Sequence, residues 1–177
     1  SGSGKTWMTQ ALLEATGALR LRADVERKRL FGLPPLARDA DPALYGRAAT
    51  EATYARLCEL AATVLGAGHP VILDATFLAA RHRRRARDLA AALGARFVIL
   101  DFRAAPATLC ERVRHRAERA DDASDADLAV LDEQRRQAEP LDEAEAALAF
   151  AVDAEAAPDE ATLAARWAPL LQRLAAR

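Results

Sequence analysis

The chain contains 177 residues, enough for one domain with a buried core, and we expect that domain to fill residues 1–177. Hydrophobic residues make up 51% of the chain and aromatic residues only 5%, which favours a core of Leu, Val and Ala. The formal net charge of −1 gives no general attraction for nucleic acid, which is therefore not an expected partner. No apolar run reaches the roughly 20 residues of a membrane span, so we do not expect the chain to cross a membrane.

The first stretch matches the second half of the phosphate-binding pattern G-x-x-x-x-G-K-[ST], through Ser1, Gly2, Ser3, Gly4, Lys5 and Thr6. The two glycines allow backbone N–H groups to turn toward a phosphate. The lysine can reach the β- and γ-phosphates, and the threonine hydroxyl can bind Mg²⁺. Apolar spacing predicts a helix over residues 7–15, as this motif requires. The alternative is a flexible Gly/Ser linker, which the lysine, the threonine and the following helix disfavour.

Strands and helices alternate along the rest of the chain. Apolar runs and period-two alternation predict strands over residues 18–23, 70–74, 96–102 and 148–152. Periodic segments between turn residues predict helices over residues 25–31, 43–65, 78–93, 106–119, 127–138 and from 158 onward. This order predicts an α/β fold with parallel strands and right-handed crossovers. The phosphate loop, Asp24 and Asp74 should then meet at one edge of the sheet.

Two acidic residues at predicted strand ends are the main candidates for chemistry. Asp74 follows a buried strand, where a second acidic residue can lie near Mg²⁺ or a metal-bound water. Asp24 is a candidate general base that takes a proton from an acceptor hydroxyl, and the nearby arginines suit an anionic substrate. The alternatives are helix caps: Asp24 for the helix that follows it, and Asp74 or Thr76 for the helix from Leu78.

Arginines at helical spacing form a second candidate group, which consists of Arg112, Arg116 and Arg119. Together with Arg114 they are candidates for a lid that closes over ATP. The alternative, a solvated helix face whose charge is balanced by Glu111 and Glu118, is about as well supported as a lid.

The basic run Arg81–Arg85 is more simply a solvated helix face than a nucleic-acid site, because no aromatic residue interleaves with it. Cys58 and Cys110 lack the spacing of a metal site or redox pair, which favours a cytoplasmic location.

Several motifs together resemble a group of P-loop kinases: S-G-S-G-K-T, L-R-A-D-V-E-R-K-R-L-F-G, V-I-L-D-A-T-F, and the arginine helix before D-A-S-D-A-D-L-A-V-L. The group includes zeta toxins, chloramphenicol phosphotransferase and the kinase domain of phage polynucleotide kinase. The resemblance is closer to the ATP-binding domain that follows an aminoglycoside-phosphotransferase-like domain in some bacterial two-domain proteins. A fused N-terminal domain in the parent protein is therefore an expected partner.

The resemblance implies a three-layer P-loop NTPase fold, with helices on both faces of a parallel sheet whose first, central strand lies upstream of Ser1. It implies that ATP and Mg²⁺ bind at the phosphate loop, with Thr6 and Asp74 near the metal. It also implies Asp24 as the base, Arg27 as a substrate contact and Asp74 near the metal or substrate. It implies further that Lys5 and Arg116 act on the transferred phosphate, with Arg116 in a lid of about residues 112–138 whose Arg112 and Arg119 also contact ATP.

The leading hypothesis is an ATP-dependent phosphotransferase that acts on a hydroxyl of a small molecule. Its acceptor contacts are expected in residues 32–45 and the following helix. A 5′-hydroxyl polynucleotide kinase and a non-catalytic ATP-binding regulatory module are the alternatives. A hydrolysing switch would need a residue that positions water, and the sequence offers no clear candidate.

Overall fold

The computed structural model of the protein describes residues 2–37, 42–119, 128–156 and 160–175, without the side chains of residues 42, 116–119 and 160–161. Its strands are β1 (Leu19–Arg22), β2 (Val71–Asp74), β3 (Ile99–Arg103) and β4 (Ala149–Asp153). The helices of the first half are α1 (Lys5–Met8), α2 (Gln10–Thr16), α3 (Ala23–Leu30), a 3₁₀ turn (Pro42–Tyr45), α4 (Arg47–Gly66) and α5 (Ala80–Ala92). Those of the second half are α6 (Pro106–Arg119), α7 (Leu128–Gln137), α8 (Glu143–Leu148) and α9 (Glu160–Ala175).

Within these residues the four strands form two parallel pairs. β1 lies beside β2, with Leu19 opposite Val71 and Arg22 opposite Asp74. β3 lies beside β4 in the same parallel sense. The predicted α/β fold with parallel strands is therefore confirmed, and the register places the ends of β1 and β2 side by side.

A cleft separates the two strand pairs. It has a volume of about 1420 Å³ and is lined by β2 and β3, with apolar side chains such as Ile72 and Leu100.

Two apolar clusters hold helices against the strands. One joins the first helices to α9 and contains Met8, Leu12, Val152, Leu163, Trp167 and Leu170. In it the Trp167 indole N–H donates to the Met8 carbonyl over 3.0 Å, which ties α9 to the helix after the phosphate loop. The other cluster packs α3, through Ala23, and α4, through Tyr54 and Leu57, against β1 and β2. Burial of these side chains fixes the strand ends relative to the phosphate loop.

Three local features differ from the predictions. The single helix predicted over residues 7–15 is divided at Thr9, whose hydroxyl donates to the Lys5 carbonyl over 2.8 Å. Hydroxyls that bond back to the preceding turn compete with regular helical geometry, and this bond lies at the break. The short helix α8 was not predicted, although Asp142 and Glu145 form a capping box at its start.

The third difference concerns the start of α5, which begins at Ala80 rather than at residue 78. Its N-cap is Ala79, and neither Asp74 nor Thr76 caps it. The carboxylate of Glu139 accepts from the Ala80 N–H over 2.6 Å instead. A residue distant in sequence therefore satisfies the helix terminus and leaves Asp74 available for other contacts.

No helix among the described residues is long and apolar enough to cross a membrane.

Candidate active site

The phosphate loop adopts a conformation that depends on its glycines. Gly2 has φ of 78° and Gly4 has φ of 73°, both in the left-handed region. A Cβ on Gly2 would lie 2.8 Å from the carbonyl oxygen of Leu109 in α6, so the loop packs too closely for any side chain there. Ser1 lies outside the described residues.

The side chains that follow the loop meet at the end of β2, in what we call the Asp74 centre (Lys5, Thr6, Arg22 and Asp74). The Thr6 hydroxyl donates to Asp74 Oδ2 over 2.5 Å. Lys5 Nζ lies 3.7 Å from Asp74 Oδ1, and Arg22 Nε lies 3.9 Å from Oδ2. The Asp74 side chain is only 5% exposed. One buried carboxylate thus lies between a hydroxyl and two cations, so its charge is compensated in the folded protein.

The Asp74 centre fits a hard cation such as Mg²⁺. Two neighbouring oxygen ligands of octahedral Mg²⁺, each at about 2.1 Å, are about 3 Å apart. Thr6 Oγ1 and Asp74 Oδ2 are already within 2.5 Å of each other, so a small separation would bring both to one ion. Among the described residues there is no cluster of three or more His, Cys, Asp or Glu that could hold a metal. Mg²⁺ commonly keeps several waters and uses few protein ligands, so a hydroxyl and one carboxylate suit it.

Arg20 extends the positive charge beside Asp74, and the sequence analysis did not predict it as a site residue. Its guanidinium donates to the Thr9 hydroxyl over 2.9 Å. Burial lowers the pKa of Arg20, and this effect is opposed by the charge of Asp74 and reinforced by Arg22. The period-two alternation of β1 places Arg20 and Arg22 on one face, and that signal could have identified Arg20.

Asp24 lies in the first turn of α3, two residues after the arginine opposite Asp74. The N-cap of α3 is Arg22, without a side-chain cap, so a capping role for Asp24 is not observed. The charge of Asp24 acts on the hydroxyl of Tyr54, whose pKa is raised chiefly by burial and in smaller part by Asp24. Asp24 is therefore near the strand ends, and its role as a base stays a prediction.

Arg27 is buried beneath the segment that precedes α4. Its Nη1 donates to the Leu44 carbonyl over 2.9 Å and to the Thr50 hydroxyl over 3.3 Å, and the guanidinium lies 5.3 Å from the Tyr45 ring centroid. Its Nε has no hydrogen-bond partner among the described residues. Arg27 fastens the segment predicted to contact the acceptor, and direct contact with a substrate stays a prediction.

The predicted lid arginines are only partly described. Arg112 donates to the carbonyls of Ala154 over 2.7 Å and Glu155 over 3.0 Å, so it anchors the segment after β4 beside the phosphate loop. The side chains of Arg116 and Arg119, and the lid residues 120–127, lie outside the description. The proposed contacts of these arginines with ATP therefore stay predictions.

The basic run on α5 is not a uniformly solvated face. Arg81 pairs with Glu51 at 2.8 Å, whereas His82 and Arg83 are each only 4% exposed. His82 stacks on Tyr54, with 3.8 Å between ring centroids. The prediction of a solvated face is thus wrong for His82 and Arg83, because both side chains point toward neighbouring elements rather than solvent.

The loop, the strand-end carboxylate and the parallel strands define a protein with the P-loop NTPase fold. More specifically, the chain belongs to the AAA domain family AAA_33, which matches residues 1–141. Uncharacterized proteins of Mycobacterium bovis and Mycobacterium tuberculosis (strain H37Rv) are 32% identical to it over 133 residues. That match covers 73% of this chain and 27% of each relative, so the chain spans about a quarter of the length of these relatives.

Solved kinase structures share the fold over nearly the whole chain. A gluconokinase from Sinorhizobium meliloti has a TM-score of 0.62 and 26% identity, covering 99% of this chain and 89% of its own. A sugar kinase from Janibacter sp. has a TM-score of 0.68 and 19% identity, covering 100% and 94%. A Chloroflexus aurantiacus protein has a TM-score of 0.69 and 20% identity, covering 97% and 91%.

Proposed function

We propose that the chain is an ATP-dependent phosphotransferase that moves the γ-phosphate of ATP to a hydroxyl of a small molecule. The observation that carries the proposal is the Asp74 centre, in which a phosphate-loop hydroxyl and ammonium both meet one buried strand-end carboxylate. This set of groups suits a nucleotide phosphate that is bound together with a divalent cation.

Each residue of the site has a task in this proposal. Lys5 exchanges its contact with Asp74 for the β- and γ-phosphates and holds them as a point charge. Thr6 and Asp74 would hold Mg²⁺, and the bound ion would neutralise charge on the phosphates. Asp24 orients the acceptor hydroxyl and takes its proton as the new bond to phosphorus forms. Arg116, with Arg112 and Arg119, would complete the positive charge around the phosphates.

The acceptor in this proposal is a polyhydroxylated compound, and an acidic one fits best. Two of the similar structures are a gluconokinase and a sugar kinase. The arginines Arg20, Arg22 and Arg27 lie within four residues of the candidate base in the chain, on β1 and α3, and a carboxylate on the acceptor would suit this positive charge. Gluconate and related sugar acids are therefore the first acceptors to test, followed by neutral sugars.

ADP production across this acceptor panel, with mass measurement of the product, tests the proposal. Asp24→Asn should lower turnover by about 10²–10⁴-fold and leave nucleotide affinity unchanged, because the amide cannot accept the proton. Asp88→Asn, on the exposed side of α5, is the matched control and should retain full turnover. Full turnover by Asp24→Asn would refute its assignment as the base.

A nucleotide-binding regulatory module is the second candidate. The observation in its favour is the 27% coverage of the mycobacterial relatives, since a module of a longer protein can act on its neighbours. Nucleotide binding with no phosphate transfer to any acceptor in the panel would favour this function over a kinase. Phosphate transfer to oligonucleotide 5′ ends alone would instead favour a polynucleotide kinase.

A further inference from the structure

Phe77 follows the Asp74 centre closely and has an unusual backbone conformation. Its φ of 47° lies in the left-handed region. All other residues with positive φ in the described part of the chain are glycines. For a bulky side chain this conformation costs free energy, so surrounding contacts must hold it. Strained residues of this kind are concentrated at functional sites, and Asp74 of the candidate site lies three residues before Phe77.

Contacts on both sides fix the Phe77 backbone. Its N–H donates to the Tyr54 hydroxyl over 3.0 Å, and the two rings meet edge to face with centroids 5.2 Å apart. On the other side, Arg83 Nη1 donates to the Phe77 carbonyl over 3.0 Å and to the Leu78 carbonyl over 3.1 Å. One buried guanidinium therefore holds two successive carbonyls of the segment that leaves β2.

Arg83 is itself held in one orientation. Its Nε and Nη2 donate to the two carboxylate oxygens of Glu145 over 2.9 and 2.8 Å, and both side chains are nearly fully buried. Further bonds reach the carbonyls of Glu139 over 3.2 Å and Pro140 over 3.1 Å. The hydrogen bond between the pair raises the pKa of Arg83 and lowers the pKa of Glu145, so both stay charged. We call this arrangement the Arg83 clamp.

The anchor of the clamp is also fixed in place. Glu145 N–H donates to the Asp142 side chain over 2.8 Å in the capping box of α8. The Glu139 N–H donates to the Leu78 carbonyl over 2.9 Å. Residues 77–80 are therefore fastened to residues 139–145 at several points, and the guanidinium is the group that contacts both segments.

Stability alone does not require such a group. A buried ion pair is often no more stabilising than apolar side chains of similar volume, because removal of two charges from water is costly. The planar guanidinium with its five donors, however, fixes the directions of several carbonyls at once. Here those carbonyls belong to the strained segment next to the candidate metal site.

We propose that Arg83 is a positioning residue, which holds Asp74 in place at the phosphate loop by fixing the carbonyls of Phe77 and Leu78. The inference rests on the proposed role of Asp74 in binding Mg²⁺ with the nucleotide. Arg83 contacts neither the metal nor the nucleotide, and its effect passes through the backbone between residues 74 and 78.

The decisive variant removes the whole ion pair, as Arg83→Met combined with Glu145→Met. We expect it to fold with a lowered melting temperature, because no uncompensated charge is left buried but the main-chain carbonyls that Arg83 held lose a donor. Isothermal titration with ADP, with and without Mg²⁺, gives the gain in affinity that Mg²⁺ provides. That gain should fall by about 10–100-fold in the double variant, as for other residues that orient metal ligands.

Native-state hydrogen exchange supplies a second readout, since the Phe77 amide should exchange at least about 10-fold faster without the clamp. Arg84→Met removes a neighbouring exposed arginine of α5 and should change neither quantity. An Mg²⁺ gain that is equal in the unmodified protein and the double variant, or absent from both, would overturn the positioning role.

Arg83→Lys decides the matter should the double variant not fold. Lysine keeps a charge for Glu145 but lacks the planar set of donors, so we expect a partial loss of the Mg²⁺ gain. Full retention of that gain by Arg83→Lys would also overturn the role. A native protein that shows the Mg²⁺ gain and transfers phosphate to no acceptor would refute the proposed kinase activity and leave the clamp intact.

Discussion

The substitution Asp74→Asn should change nucleotide binding in opposite directions with and without Mg²⁺. In the structure the carboxylate accepts from Thr6 over 2.5 Å and lies 3.7 Å from the Lys5 ammonium. The amide preserves the shape of the side chain and removes its charge. Loss of one charge-assisted hydrogen bond should lower the free energy of unfolding by about 2 kcal/mol.

Without Mg²⁺ the variant should bind ADP more tightly than the native protein. The Lys5 side chain is 26% exposed, so its ion pair with Asp74 contributes only about 0.5–1 kcal/mol. The native protein must give up that contribution when Lys5 turns to a phosphate, and the variant need not. The expected gain in metal-free affinity is therefore about 2–5-fold.

With Mg²⁺ the native protein should bind ADP more tightly than the variant, because a neutral amide is a poor ligand for this cation. The increase in affinity produced by Mg²⁺ should fall by at least about 10-fold in Asp74→Asn. Isothermal titration with ADP in Mg²⁺ and in EDTA measures both effects, with Asp88→Asn as the control. A variant that keeps the full Mg²⁺ gain would refute the assignment of Asp74 to the metal.

Three further predictions test the loop, a buried histidine and the ion pair. Gly2→Ala should cost at least about 2–3 kcal/mol of unfolding free energy and weaken ADP binding, since its Cβ meets Leu109 at 2.8 Å. Gly17 also has a left-handed φ, but an added Cβ would meet no atom within 4 Å, so Gly17→Ala should cost only about 1 kcal/mol. Urea titrations measure both costs, and equal values would contradict the packing argument. Burial lowers the pKa of His82, with Glu51 opposing, so the unfolded chain binds more protons and native stability falls as pH drops below the ordinary histidine range. His82→Phe should flatten that decline between about pH 6.5 and 5 in melting-temperature scans, and an unchanged slope would contradict it. Glu145→Gln should cost about 3 kcal/mol at neutral pH by leaving Arg83 without its carboxylate. Because the pKa of Glu145 is lowered, its contribution is present above the ordinary glutamate range and lost as pH falls through the lowered value, so the two proteins should converge in acid.

The parts of the site that depend on short stretches of chain could be predicted from the sequence. The glycines, Lys5 and Thr6 are neighbours, and their motif carries its own geometry. Asp74 ends a short apolar run, which correctly predicted a strand whose end lies at the phosphate loop, although its apolar residues are only partly buried. Parallel pairing followed from the alternation of strands and helices.

The Arg83 clamp could not be predicted, because its partners are distant in sequence. Glu145 is separated from Arg83 by 62 residues, and periodicity shows which side of a helix is buried without naming what it meets. A run of arginines ordinarily indicates solvent exposure, and here the tertiary contact overrides that tendency. The start of α5 at Ala80 likewise depends on a hydrogen bond to Glu139, a residue distant in sequence. The small-molecule acceptor, the fused N-terminal domain and a cytoplasmic location stay predictions.

A crystal structure of the protein with Mg²⁺ and a non-hydrolysable ATP analogue tests the central claim most directly. We expect the β- and γ-phosphates on the backbone N–H groups of residues 2–6, with Lys5 moved from Asp74 to the phosphates. Mg²⁺ should lie about 2.1 Å from the Thr6 hydroxyl, with Asp74 bound directly or through one metal-bound water. Phosphates bound away from residues 2–6, or Mg²⁺ held without Thr6 and Asp74, would contradict the account.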